Sequence, residues 1–224
     1  MRMARAISRS ERRRKLAAEM ERKKAGATRW FDRRAGSYEG GRTSKWRGPV
    51  QRASLEALEL SPADRLLDVG CGTGAASRQA ARIGATVVGV DLSPKMIREA
   101  VERARGLSNV EFEIADVEHL PFANGKFTAV LCSNAFHHYP DPSRAVAEMV
   151  RVLTPGGRLA IGDATSDLRA ARIADRFLRW FEPGHVRLYR SAELGAFVRG
   201  AGLEHVQLRR LSEGGFAIVR GARS

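Results

Sequence analysis

The chain has 224 residues, 43% of them apolar, enough for one ordinary domain with a buried core and a short appendage. Its 39 basic and 25 acidic residues give a formal charge of +14, unevenly spread: residues 1–52 hold 17 Lys/Arg against 5 Asp/Glu, residues 53–224 hold 22 against 20. Two cysteines exclude a disulfide framework, no CxxC pair points to zinc, and no apolar run nears the ~20 residues that span a bilayer.

Residues 2–25 lack Pro and Gly and alternate charge blocks with Ala, Leu16 and Met20, which reads as a basic helix ending at Gly26. No apolar stretch follows, as a secretory signal requires, and Glu11, Glu19 and Glu21 argue against a mitochondrial presequence. With two free thiols, the expected compartment is the reducing cytoplasm. Trp30, Phe31 and Tyr38 crowd three large aromatics into nine residues, so this segment is expected to dock on the core, followed by a turn at Gly40-Gly41. The chain therefore divides into a basic helical extension, residues 1–28, and a main domain, residues 29–224.

Pro49 opens a helix to Leu60, broken at Ser61-Pro62. Arg65–Val69 is a strand, Thr73–Ile83 a helix, and Thr86–Val90 a buried strand. Ser93-Pro94 is an N-cap with proline at the first helical position; Ile97, Ala100, Val101 and Ala104 then mark a buried stripe. Val110–Ile114 and Phe127–Cys132 are further strands. Asp141-Pro142 caps a helix with Ala145, Val146, Met149, Val150 and Leu153 on one side, and Gly157–Asp163 is a fifth strand. Helices at Arg169–Phe181 and Ser191–Gly200 precede two closing strands, Leu203–Leu211 and Gly215–Arg220. Strands alternating with helices of this length imply an α/β fold: a mostly parallel sheet with helices on both faces. The last two strands have no helix between them and should pair antiparallel at one edge.

The stretch Leu66-Leu67-Asp68-Val69-Gly70-Cys71-Gly72-Thr73-Gly74 runs strand, glycine turn, helix. Glycines here let backbone approach a ligand, and the helix start adds unpaired N–H groups. In an open α/β sheet this turn lies beyond the carboxyl ends of the strands, where ligands bind. Asp91 ends the next strand, and its carboxylate can accept both hydroxyls of a ribose. The spacing is GxGxG, yet Gly70-x-Gly72-x-x-Ala75 also fits a loose nicotinamide-cofactor pattern, so the loop alone leaves the ligand open. The Tyr-x-x-x-Lys pair of short-chain dehydrogenases is absent.

Four segments, LLDVGCGTG (66–74), VVGVDLSPKMI (87–97), ADVEHLPF (115–122) and RVLTPGGRL (151–159), resemble the successive motifs of class I S-adenosylmethionine-dependent methyltransferases. The branch they resemble is that of the ubiquinone/menaquinone-biosynthesis methyltransferases, over about residues 29–210. The resemblance implies a Rossmann-like seven-stranded sheet, order 3-2-1-4-5-7-6, mostly parallel with one antiparallel strand at the edge. It also implies S-adenosylmethionine as cofactor. Asp68, Gly70 and Gly72 would hold its methionine end, Asp91 its ribose, and Leu92 would lie against the adenine. Asp116 would accept from the adenine amine, beside Val117. Tyr38, in Phe31-Asp32-x-x-Ala35-x-x-Tyr38, would pack near the sulfonium, which an aromatic face favours. Asn134 joins this cofactor set, and Cys71 reads as a small turn residue.

After the fourth strand comes Ser133-Asn134-Ala135-Phe136-His137-His138-Tyr139, beside the transferable methyl in that family's fold. Histidine is a natural general base near neutral pH, so His138, then His137, then His185 are the catalytic candidates. The segment lacks the [ND]PP[YFW] motif of DNA amino methylation, and it departs from the FGxRN-like sequence of quinone methyltransferases. A small organic acceptor, methylated at oxygen, nitrogen or activated carbon, is the expected substrate. The helix at 169–181 and the Gly184–Tyr189 segment would build its pocket. The basic residues 1–52 leave three partners open: an anionic surface, RNA, or a protein. An RNA methyltransferase and a non-catalytic cofactor-binding protein are the alternative functions.

Overall fold

The computed structural model describes residues 8–40, 44–211 and 215–224. Its centre is β1 (Arg65–Val69), in which Leu66 to Val69 are all buried, as befits a strand covered on both faces. Around it stand β2 (Thr86–Asp91), β3 (Val110–Ile114), β4 (Phe127–Ser133), β5 (Leu153–Ala164), β6 (Leu203–Leu211) and β7 (Phe216–Arg223), in the order β3-β2-β1-β4-β5-β7-β6. The β1 to β5 pairs are parallel, and β7 runs antiparallel to both β5 and β6. The expected topology is thus observed, with the reversed strand one place inside the edge. The loops that follow β1, β2, β3 and β4 all leave from one end of the sheet, and the site is built there.

Alternation along the strands divides the core. Leu66, Ala129, Leu131 and Ala160 face a cluster built with α2 (Ser44–Leu58) and α3 (Ala75–Ile83). Leu67, Val130, Cys132 and Leu159 face a second cluster, built with α5 (Pro142–Val152) and α7 (Ser191–Gly200). Between β2 and β3, α4 (Pro94–Arg103) opens as expected, with Ser93 Oγ accepting from the Met96 N–H and Pro94 in the first turn. Its buried face is Met96, Ile97 and Ala100, whereas Val101 is half exposed.

Several element boundaries depart from the sequence reading, among them the last strand, which runs to Arg223 rather than Arg220, and three that bear on the site or on local chemistry. The first helix, α1 (Arg9–Asp32), does not stop at Gly26. Glycine ends a helix only where the chain turns; here its missing side chain serves close approach, since a Cβ on Gly26 would lie 3.1 Å from the Pro183 carbonyl oxygen. The second helix begins at Ser44, placing Pro49 inside it, where it cannot donate to the carbonyl four residues back. The fifth strand starts at Leu153, four residues before Gly157. Gly41, half of the expected turn, lies outside the described residues.

Helix α6 (Arg169–Phe181) has the predicted bounds but an unusual orientation: its buried side chain is Asp175, Leu178 is half-buried, and Ile173, Phe177, Trp180 and Phe181 face outward. Among the described residues, no helix is long and apolar enough to cross a membrane.

Candidate active site

The turn after β1 is closed by sterics. Gly70 has φ +67°, and a Cβ there would stand 2.5 Å from the Ala135 side chain and 2.9 Å from the Tyr139 hydroxyl. Gly72, at φ +55°, donates its N–H to Asp91 Oδ2 at 2.9 Å, while the other Asp91 oxygen accepts from the Ser93 N–H at 2.8 Å. The acid at the end of β2 is therefore aimed at the glycine turn by two backbone donors. Burial raises its pKa against those bonds.

Asp68 is 2% exposed, and Ser77 Oγ donates to its Oδ2 at 2.6 Å. Burial, reinforced by the charge of Asp91, pushes the Asp68 carboxyl up to about 7. It lines a compartment with Gly70, Gly72, Gln51, Arg47 and Asn134, where Gln51 Nε2 is buried and has no hydrogen-bond partner among the described residues. A buried carboxylate that makes no ion pair among the described residues, in one compartment with an unsatisfied amide donor, suits a zwitterionic amino-acid group: Asp68 for the ammonium, the Gln51 amide for an acceptor oxygen. Burial raises the Cys71 thiol well above its ordinary range, which removes thiolate chemistry from this turn.

A second compartment, about 760 Å³ with its open mouth, shares Tyr38, Gly70, Gly72 and Asn134 with the first. Asp91, Leu92, Asp116 and Val117 line it, as do Ala27, Thr28 and Phe31 of α1 and His138 after β4. Its far wall holds an ion cluster: Lys24 Nζ lies 2.7 Å from Asp116 Oδ2 and 2.5 Å from Glu118 Oε2. Burial opposes the Lys24 charge, but the two carboxylates outweigh it and hold its pKa above the ordinary value. Burial likewise opposes the charge of Asp116, yet Lys24 and the Glu118 N–H keep its pKa low, so it stays an acceptor. The end of α1 is clamped too: Asp32 Oδ1 accepts from Ser93 Oγ at 2.5 Å and from the Lys95 N–H at 3.2 Å.

Tyr38 covers the glycine turn, its ring edge 3.5 Å from where a Gly72 Cβ would be, and the Arg47 guanidinium stacks on it 3.8 Å from the ring centre. Asn134, at φ +55°, donates to Ser133 Oγ at 3.0 Å.

The three candidate histidines separate sharply. His138 lines the cleft, and its Nδ1 donates to the Gly184 carbonyl at 2.8 Å, since a carbonyl can only accept. That bond fixes the tautomer and leaves a lone pair on Nε2, 3.8 Å from Glu182 Oε1. Burial, with the neighbouring His137 charge, lowers its pKa well below the ordinary value, so it is neutral. His137 turns to Asp163, with Nδ1 2.7 Å and its own N–H 2.9 Å from the two carboxylate oxygens. Burial opposes protonation there, but Asp163 outweighs it and raises the pKa. His185 is 6% exposed, with Nε2 2.7 Å from Asp175 Oδ1 and no partner for Nδ1; burial lowers its pKa. Neither His137 nor His185 lines the cleft.

Sequence reasoning named neither Lys24, Gln51, Glu118 nor Asp163. Asp163 carried a usable signal, an acid near the carboxyl end of a parallel strand. The other three sit on helices or turns where their type predicts a solvated charge or amide.

A family profile described as a methyltransferase domain matches residues 67–161. The chain is 37% identical to methyltransferase GfsG of Streptomyces halstedii over 171 residues, covering 70% of the chain and 59% of that relative's length. It is 34% identical to the ubiquinone biosynthesis O-methyltransferase of Xanthomonas oryzae, covering 70% of the chain and 69% of the relative. The methyltransferase solved in complex with the Trm112 activator of Haloferax volcanii superposes with a TM-score of 0.76 at 20% identity, over 86% of this chain and 96% of that one.

Proposed function

This chain belongs to the methyltransferase-domain family, and from that premise we propose that it transfers a methyl group from S-adenosylmethionine to a small organic acceptor, at an oxygen. The observation that carries the reading is the pair of joined compartments at the carboxyl ends of the strands, with Asp68, Asp91 and Asp116 spaced along them. Asp68 and Gln51 would hold the amino-acid end, Asp91 the ribose hydroxyls, and Asp116 with Val117 and Leu92 the adenine. S-adenosylmethionine supplies, when bound, an electrophilic methyl on a sulfonium. The chain's own work is then to position the acceptor and remove its proton. His138 would do this: it is neutral and fixed in one tautomer, its Nε2 lone pair has no hydrogen-bond donor among the described residues, and Glu182 is close enough to stabilise the imidazolium once formed. His137 and His185 enter as supports of that loop, each already committed to an aspartate. Tyr38 and Asn134 close the junction between compartments. We place the chain in the cytoplasm, which accords with its two free thiols, Cys71 and Cys132.

Oxygen is favoured because the ubiquinone-biosynthesis relative is named an O-methyltransferase and a hydroxyl needs a base. The test is incubation of the full chain with isotope-labelled S-adenosylmethionine and a cell extract, followed by mass spectrometry of labelled products. A labelled methyl ether or ester is the expected outcome. Labelled RNA would replace this reading with the RNA-methyltransferase one, and cofactor binding with no labelled product would favour a non-catalytic role.

A further inference from the structure

Helix α6 has a surface that its packing does not explain. Ile173, Phe177 and Trp180, at spacing i, i+4, i+7, form one stripe and are 62%, 61% and 87% exposed; Phe181 beside them is 77% exposed. Arg169, Arg172, Arg176 and Arg179 form a second stripe at i, i+3, i+7, i+10, all exposed. The body-facing side is held by polar bonds instead: Asp175 accepts from the Leu188 N–H and pairs with His185 and Arg179. A helix fixed by its polar side, with its aromatics presented outward, needs something to cover them.

The first helix meets the loop that follows α6. A Cβ on Gly184 would lie 2.7 Å from Ala27, and Gly26 approaches the Pro183 carbonyl as closely as described above. Residues 11–19 of α1 are exposed and carry Arg12, Arg13, Arg14 and Lys15. So the apolar stripe with its arginines on α6 and the basic turns of α1 lie on two helices linked through the Pro183–Gly184 loop beside the cleft.

We propose that α6, assisted by the cationic α1, is the docking surface of the protein for an anionic lipid bilayer. Aromatic and branched apolar residues flanked by arginines match the boundary where acyl chains give way to anionic headgroups, which takes up both features at once. RNA would neutralise the arginines but leave Ile173 and Phe177 in water. A second copy would bring the same positive stripes face to face. The proposal does not depend on the methyl-transfer reading, because it concerns where the chain sits.

The experiment is vesicle flotation of the full chain with phosphatidylcholine alone and with phosphatidylcholine–phosphatidylglycerol mixtures, followed by Trp emission. Binding to the mixed vesicles at least about tenfold tighter than to the neutral ones is expected, weakening with salt, with a blue shift that W180F abolishes. F177E/W180E should lower binding at least about tenfold without changing the melting temperature, both side chains being exposed. R169E/R176E should weaken it while keeping the aromatics, which guards against misfolding of the first variant. Equal binding of wild type and F177E/W180E would overturn the proposal, as would no preference for anionic vesicles. A dimer dissociated by F177E/W180E, or RNA binding that depends on Phe177 and Trp180, with no vesicle binding in either case, would overturn it in favour of that partner.

Discussion

His138 and Asp68 show how burial sets chemistry one side chain at a time. His138 donates through Nδ1 to the Gly184 carbonyl and is kept neutral by burial, so its Nε2 should be an available base across the neutral range. His138→Gln should lower kcat by roughly 10²–10⁴-fold and leave the cofactor Kd within about threefold, as stopped turnover and calorimetry would show. Because its pKa is lowered, its protonation should not depress kcat between pH 6 and 8. Asp68 runs the other way. Its folded-state pKa near 7 lies above the ordinary 3.8, so the folded chain binds that proton more tightly than the unfolded one. The associated stability is complete at acid pH and is lost as pH rises to about 7, a cost on the order of 4 kcal/mol for the charged form. Asp68→Asn should therefore raise the melting temperature of the ligand-free protein at pH 8 and hardly change it at pH 4. The same variant should bind S-adenosylmethionine more weakly. It should also lose the fall in affinity expected of the wild type as pH drops from 7.5 to 5.5, where Asp68 takes up a proton and can no longer face an ammonium.

The element that matters most to the cleft is α1. Read from sequence, it is a leader ending at Gly26; in the folded chain its last three turns form a wall, with Lys24, Ala27, Thr28 and Phe31 lining the compartment. We propose residues 1–28 as an accessory segment only through its first turns, since the wall already begins at Lys24. Lys24→Met should uncover a Glu118 carboxylate that is 2% exposed, costing about 2–4 kcal/mol of stability and speeding amide exchange along α1. Gly184→Ala tests the same contact from the opposite side: its Cβ would meet Ala27 backbone at 2.7 Å, so something must move. Denaturant melts should show a loss of about 1–3 kcal/mol, together with reduced turnover as the Gly184 carbonyl shifts away from His138. The α6 docking surface belongs to this scale as well, being one helix whose apolar stripe is turned from the core.

At the scale of the whole molecule, the cleft joins loops after four strands to a helix from the chain's start. A ligand filling it should therefore stabilise the fold globally. At S-adenosylmethionine one hundredfold above its Kd, the gain is about 2.7 kcal/mol, expected as a rise of about 5–10 °C in melting temperature. No rise at saturating cofactor would count against the proposed function. The charge is as uneven in the fold as in the sequence: α1, the helix that walls the cleft, holds nine Lys/Arg against four Asp/Glu, while residues 53–224 are near neutral. Most element bounds, the parallel sheet and its antiparallel last pair were legible from local signals, among them alternation, the Ser93-Pro94 and Asp141-Pro142 caps and the glycine turn after β1; the strand order came from the family resemblance. Asp91 was a candidate because the carboxyl ends of parallel strands fix where a ligand lies, while Asp68 and Asp116 were candidates through the family resemblance; the fold lines the two compartments with all three. The continuation of α1 past Gly26 was not legible, since whether a glycine ends a helix or admits a neighbour depends on Pro183, distant in sequence. The sequence ranked His138 ahead of His137 and His185 but not the reason they differ, which lies in partners brought in by other elements: Asp163 from β5, Asp175 from α6, and the Gly184 carbonyl. The sequence by itself determined the sheet and the end at which it binds. Tertiary structure decided which side chains are committed there, because only long-range contacts fix a tautomer, a buried charge or an outward-facing helix.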